Sequence, residues 1–199
     1  MLKKKYIIGY SGHSYPIIEA IYSNGIEIKG YFEKVENENN PYNLTFLGNE
    51  NEYLFTDYDS VFVSIGNNLI RKSIIEKIKN KVKIFSIIDK LAIVRSPIIE
   101  NGIIVNAGSI IQPECNIGEG VIINSRAIIE HECIIGNYAH IAPGAVLAGN
   151  VQVGECTLIG ANATVLPGIK IGRNCVIGAG SVVTSDVREN TLVKGNPAK

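Results

Sequence analysis

The sequence predicts a two-part protein: an α/β nucleotide-binding (Rossmann-like) domain over residues 1–85, then a parallel β-helix of hexapeptide repeats over residues 86–199. The β-helix rests on one periodicity. Read at every sixth residue from Ile87 to Val183, the chain has Ile, Leu or Val at all 17 positions. A helix repeats at 3.6 residues and a half-buried strand at 2, so neither gives a period of six. A six-residue period held this long marks a parallel β-helix, in which each hexapeptide makes one short strand and one turn. Three such faces close a coil of roughly 18 residues, with the aliphatic inward and stacked on its counterparts in neighbouring coils. Two smaller observations agree. Cys115 and Cys133 lie one coil apart and stack, and Ala127, Ala139, Ala145, Ala163 and Ser181 share the tight corner where only small side chains fit.

The α/β part follows from the order of its elements. Residues 4–9 read as a short buried strand. Next comes the turn Gly9-Tyr10-Ser11-Gly12-His13-Ser14, then apolar residues at helical spacing (Ile17, Ile18, Ile21), with Pro16 acceptable in the first turn. Residues 26–32 read as a second strand ending at Glu33. Strand, Gly-rich turn, helix, strand is half of a nucleotide-binding unit, where backbone closely approaches a phosphate or ribose at a helix N-terminus. A full G-x-G-x-x-G would need Gly where this chain has Ser11 and Ser14, so a plain turn stays an alternative. Residues 34–56 are polar, Asn-rich loop with one or two short strands at most. Residues 60–65 form a strand closed by Gly66-Asn67-Asn68. Residues 69–79 form a helix with apolar Ile70, Ile74, Ile75 and Ile78 and basic residues between them. Residues 83–88 form a last strand feeding the repeat.

Composition narrows the function. With 19 basic and 19 acidic residues the formal net charge is zero, so no global field favours nucleic acid or an anionic membrane. The four Cys include no CxxC pair and read as packing thiols of a reducing compartment. The apolar run after the N-terminal lysines is too short for a signal peptide, and no stretch approaches the ~18 apolar residues of a membrane span. The expected location is the cytoplasm.

The chain has three histidines: His13, His131 and His140. Neither repeat histidine occupies the inward aliphatic slot, so both face outward, toward solvent or a neighbouring subunit. Glu130 and Glu132 flank His131. A carboxylate fixes the tautomer of a neutral imidazole and raises its basicity, which makes a general base. A surface or interface histidine is the plainer alternative. Zinc shared between subunits is another, though His13 lies in the other domain and His131 and His140 would have to meet across an interface. A non-catalytic β-helix scaffold would leave the Gly-rich front domain and the His131–Glu132 pair unexplained.

These residues carry a resemblance over nearly the whole chain. Tyr10-Ser11-Gly12-His13, Ile65-Gly66-Asn67-Asn68, Ile129-Glu130-His131-Glu132-Cys133, His140, Ala148-Gly149-Asn150-Val151 and the tail from Gly195 to Lys199 resemble the sugar acetyltransferases of the PglD and NeuD type. The resemblance implies a left-handed coil, against the usual right-handed crossover, and a homotrimer. It implies acetyl-CoA as co-substrate, no metal, and transfer to the 4-amino group of a UDP-linked 4-amino-4,6-dideoxy sugar of a bacillosamine or legionaminate type. O-acetylation of a sialic-acid-like sugar and N-acetylation of a GDP- or dTDP-linked amino sugar are the alternatives. Carried over by position, His131 is the base, Glu132 its orienting carboxylate, and the Gly149 N–H an oxyanion donor. His140 contacts the thioester region, Ala161 and Ala179 line the pantetheine arm, and Ser11, Gly12, His13 and Gly66 hold the nucleotide sugar. Relatives end the second strand in Asp-Asp; Glu33 and Lys34 stand there in this chain, which opens the identity of the nucleotide.

Overall fold

The computed structural model describes residues 4–97 and 100–199. The first part is a parallel four-stranded sheet of β1 (Lys4–Ile8), β2 (Gly30–Phe32), β3 (Asp59–Val63) and β4 (Lys83–Ile84), ordered β2-β1-β3-β4. Helix α1 (Ser14–Ser23) follows β1 and α2 (Asn68–Ile78) follows β3. The helices cover opposite faces: Ile17, Ile18 and Ile21 of α1 pack with Ile7 and Phe62, while Ile75 and Ile78 of α2 pack with Tyr6, Ile8 and Val61. The strand order reverses between β1 and β3, and the crevice beyond the C-terminal strand ends at such a switch point is where open α/β sheets bind ligands.

Two strands differ from the sequence reading. The second begins at Gly30 rather than 26, because the chain after Gly25 is still turning out of α1, with the Ile26 N–H donating to the Ile21 carbonyl. The last strand is divided. Residues 83–84 pair with β3, whereas Ile87–Ile88 pair with the solenoid. Between them Ser86 turns the chain, its hydroxyl donating to Glu100 O and accepting from Ile103 N. The Asn-rich segment folds over the first turn: Asn37 Nδ2 donates to Tyr10 O at 2.7 Å, and Tyr10 donates its hydroxyl to Asn40 Oδ1 at 2.7 Å.

The second part is a parallel β-solenoid with three faces. The first face stacks Ile87–Ile88, Ile104–Val105, Ile122–Ile123, His140–Ile141, Leu158–Ile159, Val176–Ile177 and Leu192–Val193. The second stacks Ile93–Val94, Ile110–Ile111, Ile128–Ile129, Val146–Leu147, Thr164–Val165 and Val182–Val183. The third stacks Asn116–Ile117, Ile134–Ile135, Gln152–Val153 and Lys170–Ile171. From Val105 to Val183 the six-residue slot is inward and buried, at ~1.5–3 kcal/mol for each large aliphatic.

The first coil departs from that register. Ile88 aligns with Val105 and Val94 with Ile111, so the inward residues sit one place later than the sequence periodicity places them. Ile93 is 51% exposed, and Ile87 packs in the core of the α/β domain. With no coil above it, the first turn of a solenoid is not held to the repeat, and Ile87 buries more surface under α1. Ile99, the third residue of that coil in the periodicity, lies outside the described residues.

One side chain joins the two parts. Arg71 of α2 is fully buried, and among the described residues its partners are uncharged. Nε donates to Gly120 O at 2.8 Å and Nη2 to Tyr138 O at 2.6 Å, both in the solenoid, while Nη1 donates to Ile65 O and Gly66 O beyond β3. Burial lowers its pKa to about 10, which leaves it cationic at neutral pH. Beside it the Tyr138 hydroxyl lies 2.6 Å from Glu76 Oε1 of α2 and 2.7 Å from Glu119 Oε2 of the solenoid.

Removing Arg71 strands several buried carbonyls at ~1–3 kcal/mol each. Arg71→Ala is therefore expected to lose on the order of 3 kcal/mol or more in urea unfolding, and Arg71→Lys to recover little, since an ammonium cannot span the same carbonyls. A lysine variant as stable as the parent would refute the clamp.

Candidate active site

Any polar chemistry in a solenoid must sit on its outer rows or edges, because the inward slot is aliphatic. His131 and Glu132 occupy the edge between the second and third faces. Glu132 takes a left-handed backbone conformation (φ 62°), and its carboxylate returns to the ring. His131 Nδ1 donates to Glu132 Oε2 at 2.9 Å, which leaves Nε2 as the bare nitrogen, and both side chains are exposed. One coil on, Gly149 lies flat against the ring: a Cβ there would stand 2.6 Å from His131 Cε1 and 2.7 Å from Nε2. Among the described residues nothing accepts from the Gly149 N–H. The edge thus holds an oriented base beside a free backbone donor.

The other predicted residues lie elsewhere. His140 is outward on the first face, as the sequence suggested, and is largely covered there by the α/β domain of its own chain. His13 meets it there, the two rings 5.8 Å apart, and stacks on Gly66. Burial, Arg71 and His13 push His140 down to about 3, and burial lowers His13 as well. A cavity of about 250 Å³ opens between the start of α2 and the first face, lined by Gly66, Asn68, His140, Leu158 and Val176.

The switch-point crevice is a second cavity, about 320 Å³, lined by Gly9, Ser11, Glu33, Lys34, Ser64 and Gly66. Gly9 needs its glycine, with φ +91° and no room for a Cβ 2.7 Å from Ile65 Cγ1. The two serines that replace the motif glycines close the turn on each other: Ser14 Oγ accepts from Ser11 N and donates to Ser11 O. Glu33 accepts from the N–H groups of Tyr10 and Lys34 at 3.2 Å, so its carboxylate holds the Gly-rich turn. Gly12 faces open space. Gly66 lines both cavities.

Ala161 and Ala179 sit on adjacent coils at the edge between the first and second faces. Their short side chains leave a flush edge that suits an extended arm laid along the solenoid. The α/β domain covers the first face, and in a three-sided coil the His131 edge is the one opposite that face. A single chain therefore brings together the switch-point crevice, His13 and His140, and leaves His131, Glu132 and Gly149 on the far side.

Comparisons with known proteins settle the family. The PglD N-terminal domain matches residues 4–78, and the bacterial transferase hexapeptide (six repeats) matches residues 114–149 and 150–185. The acetyltransferase domain of PglB from Neisseria gonorrhoeae FA1090 is 30% identical over 99% of this chain and 98% of its own, with a TM-score of 0.93. The chain belongs to the PglD-type sugar acetyltransferases. It is accordingly an acetyl-CoA-dependent acyltransferase of the hexapeptide class. PerB from Caulobacter crescentus, solved with CoA and GDP-perosamine, is 31% identical over 100% of this chain and 97% of its own, with a TM-score of 0.90. WeeI from Acinetobacter baumannii AYE, at 20% identity and a TM-score of 0.89, shares the fold.

Sequence reasoning assigned no role to Arg71, Tyr138 or Asn124. The signal for Arg71 was present, since Arg71, Ile75 and Ile78 fall at i, i+4 and i+7 on one helix face. Asn124 could only be found by stacking coils: it is placed one coil before Ala142, and its Nδ2 lies 3.1 Å from His140 Nε2.

Two outcomes follow from this geometry. Gly149→Ala displaces an exposed ring rather than backbone, so unfolding should change little while acetyl transfer falls ~10²-fold through misplacement of the base; unchanged turnover would separate Gly149 from the site. For His140 the depressed pKa fixes the sign of the acid response. Between about pH 6.5 and 3 the unfolded chain binds a proton that the folded one does not, so stability is intact above about 6.5 and declines as pH falls, by about 2 kcal/mol at pH 5. Urea unfolding at pH 7 and 5 should show His140→Gln losing less than the parent between those two values; equal losses would contradict a neutral buried ring.

Proposed function

We propose that the protein transfers an acetyl group from acetyl-CoA to the 4-amino group of a UDP-linked 4-amino-4,6-dideoxy sugar, at sites completed between the subunits of a cytoplasmic homotrimer. Residues 1–85 hold the nucleotide sugar and residues 86–199 carry out transfer. The observation that carries this reading is His131: a base whose tautomer is set by Glu132, with a bare Nε2 beside an unused Gly149 N–H, on the edge farthest from its own nucleotide crevice.

That placement favours assembly. The second face lies between the His131 edge and the Ala161–Ala179 edge, and its outward residues Ile110, Ile128, Val146 and Val182 are apolar and half-buried. A neighbour packed there sets its His131 edge near the pocket at His140 and Gly66. The α/β crevice presents the sugar, Ser11, Gly12, His13 and Gly66 surround it, and Ala161 and Ala179 line the pantetheine arm.

The chemistry needs no covalent enzyme intermediate, since a thioester is already activated. The neutral amine attacks the thioester carbonyl, and His131 Nε2 takes the amine proton. The Gly149 N–H donates to the oxyanion of the tetrahedral adduct. Collapse breaks the C–S bond, and the CoA thiolate takes the proton back from His131. Products are the N-acetyl sugar nucleotide and CoA.

A second reading, a GDP-linked amino sugar, is favoured by one specific departure. Glu33 and Lys34 stand at the end of β2, and PerB, whose structure holds GDP-perosamine, is as similar to this chain as PglB is. CoA release with UDP-, GDP- and dTDP-linked 4-amino sugars and with free sialic acid decides among them. The expected result is release with the UDP amine. Release with the GDP amine alone moves the nucleotide and keeps the chemistry, and release with sialic acid alone overturns amine transfer. With the accepted sugar, His131→Ala should cost ~10²–10⁴-fold in kcat with CoA binding retained. A variant as fast as the parent would remove His131 from the mechanism.

A further inference from the structure

Three polar side chains form a one-way line beneath the α/β domain. Asn106 Nδ2 donates to Asn124 Oδ1 at 3.1 Å, and Asn124 Nδ2 faces His140 Nε2 at 3.1 Å. The Gly66 backbone also acts on the His140 ring, in the direction that favours a ring N–H. The Asn124 amide has one allowed orientation, because its Oδ1 also accepts the Ser125 backbone N–H at 2.8 Å. An amide NH₂ only donates. His140 Nε2 must therefore accept and carry no hydrogen, and the single proton of the neutral ring sits on Nδ1, facing Gly66 O. Asn106, 2% exposed, leaves its own Oδ1 without a partner, so its one bond in this line is spent orienting Asn124.

The surroundings agree. The charged and titratable groups facing the ring are Arg71 from α2 and His13 from the turn before α1, and both act against a second positive charge. Among the described partners of His140 there is no carboxylate. His131 is the opposite case: exposed, paired with Glu132, and free at Nε2.

We infer that Asn124 is a positioning residue that locks His140 as a neutral ring protonated on Nδ1, so that His140 offers no proton to the reacting atoms and His131 is the only histidine that moves one. In transfer, the proton leaving the sugar amine goes to His131 and returns from His131 to the CoA sulfur. His140 meanwhile keeps the Gly66 end of the nucleotide crevice tied to the solenoid. The proton route rests on the acetyl-transfer reading above; the state of the ring does not.

Three histidines make the test direct. In ¹⁵N-histidine-labelled protein, long-range ¹H–¹⁵N correlation spectra identify which ring nitrogen is protonated, and His13→Asn and His131→Ala assign the signals. His140 should show a protonated Nδ1, a bare Nε2 and no titration from pH 9 to 5. Asn124→Asp places an acceptor opposite Nε2, so the ring should gain a second proton within that range, and the kcat–pH profile should gain a second histidine ionisation. Asn124→Leu, which removes the donor and adds no charge, should give a mixture of tautomers. The unsubstituted protein decides the matter even if a variant does not fold: an Nε2-protonated ring, or one titrating in mid-range, overturns the lock. An unchanged ring spectrum in folded Asn124→Asp overturns the role of Asn124. A locked ring in a protein without acetyl transfer to any amine overturns the proton route alone.

Discussion

The constraint on which the rest depends is the inward slot of the coil. The strand slots face a dry aliphatic interior where a polar side chain would lack a partner, so from Val105 to Val183 every sixth residue is a buried aliphatic, and the buried hydroxyls of Ser109, Thr157 and Ser181 stay at the corners, bonded to backbone. Backbone pairing between coils is then regular, as with Ile122 to His140 and His140 to Leu158, and an outward residue is held almost as firmly as an inward one. That is how a protein with an edge-mounted base can fix it: the Gly149 backbone under His131 belongs to the next coil of the same rigid stack. Chemistry is confined to rows and edges, and His131 lies on the edge opposite the face that the α/β domain covers.

The α/β domain answers the second need, to hold an acceptor at a set height on the solenoid. Its cores run into the first face on both sides of the sheet, through Ile104 and Ile122 beneath α1 and through Tyr138 and Cys156 beneath α2. Apolar contact alone would permit sliding along a face whose rows repeat. Arg71 removes that freedom, because its guanidinium reaches Ile65 and Gly66 carbonyls on one side and Gly120 and Tyr138 carbonyls on the other. Gly66 is both an Arg71 acceptor and a wall of two cavities, so the bond that sets domain orientation also sets the crevice.

What the sequence made legible follows from the same physics. The six-residue period and the small corner residues were readable because a stacked core repeats its demand at every coil. The first coil was misread by one residue because nothing stacks above it, and Ile87 serves the neighbouring domain instead. His131, Glu132 and Gly149 could be singled out because their family motif is local in sequence. Arg71 was read as one of the basic residues between the apolar positions of its helix, since a buried arginine whose partners are carbonyls leaves no complementary charge in the sequence to point at it. Asn124 and His140 are sixteen residues apart and meet only through coil stacking. His13 and His140 are brought together by domain packing, which no local pattern encodes.

Under the proposed transfer, the two kinds of histidine in this protein divide the labour of the site. His131 pairs with Glu132, is exposed, and keeps one nitrogen free, which are the conditions for a general base. His140 has a donor at one nitrogen and an acceptor at the other, with Arg71 and a second imidazole nearby, which are the conditions for holding a ring neutral. A site whose acceptor must be a free amine gains from this separation. A protonated His140 would add positive charge beside the pocket and raise the cost of the ammonium-like charge that develops on the attacking nitrogen. A neutral ring, tied to Gly66 and turned by Asn124, leaves that charge to be relieved by the one base with an open nitrogen.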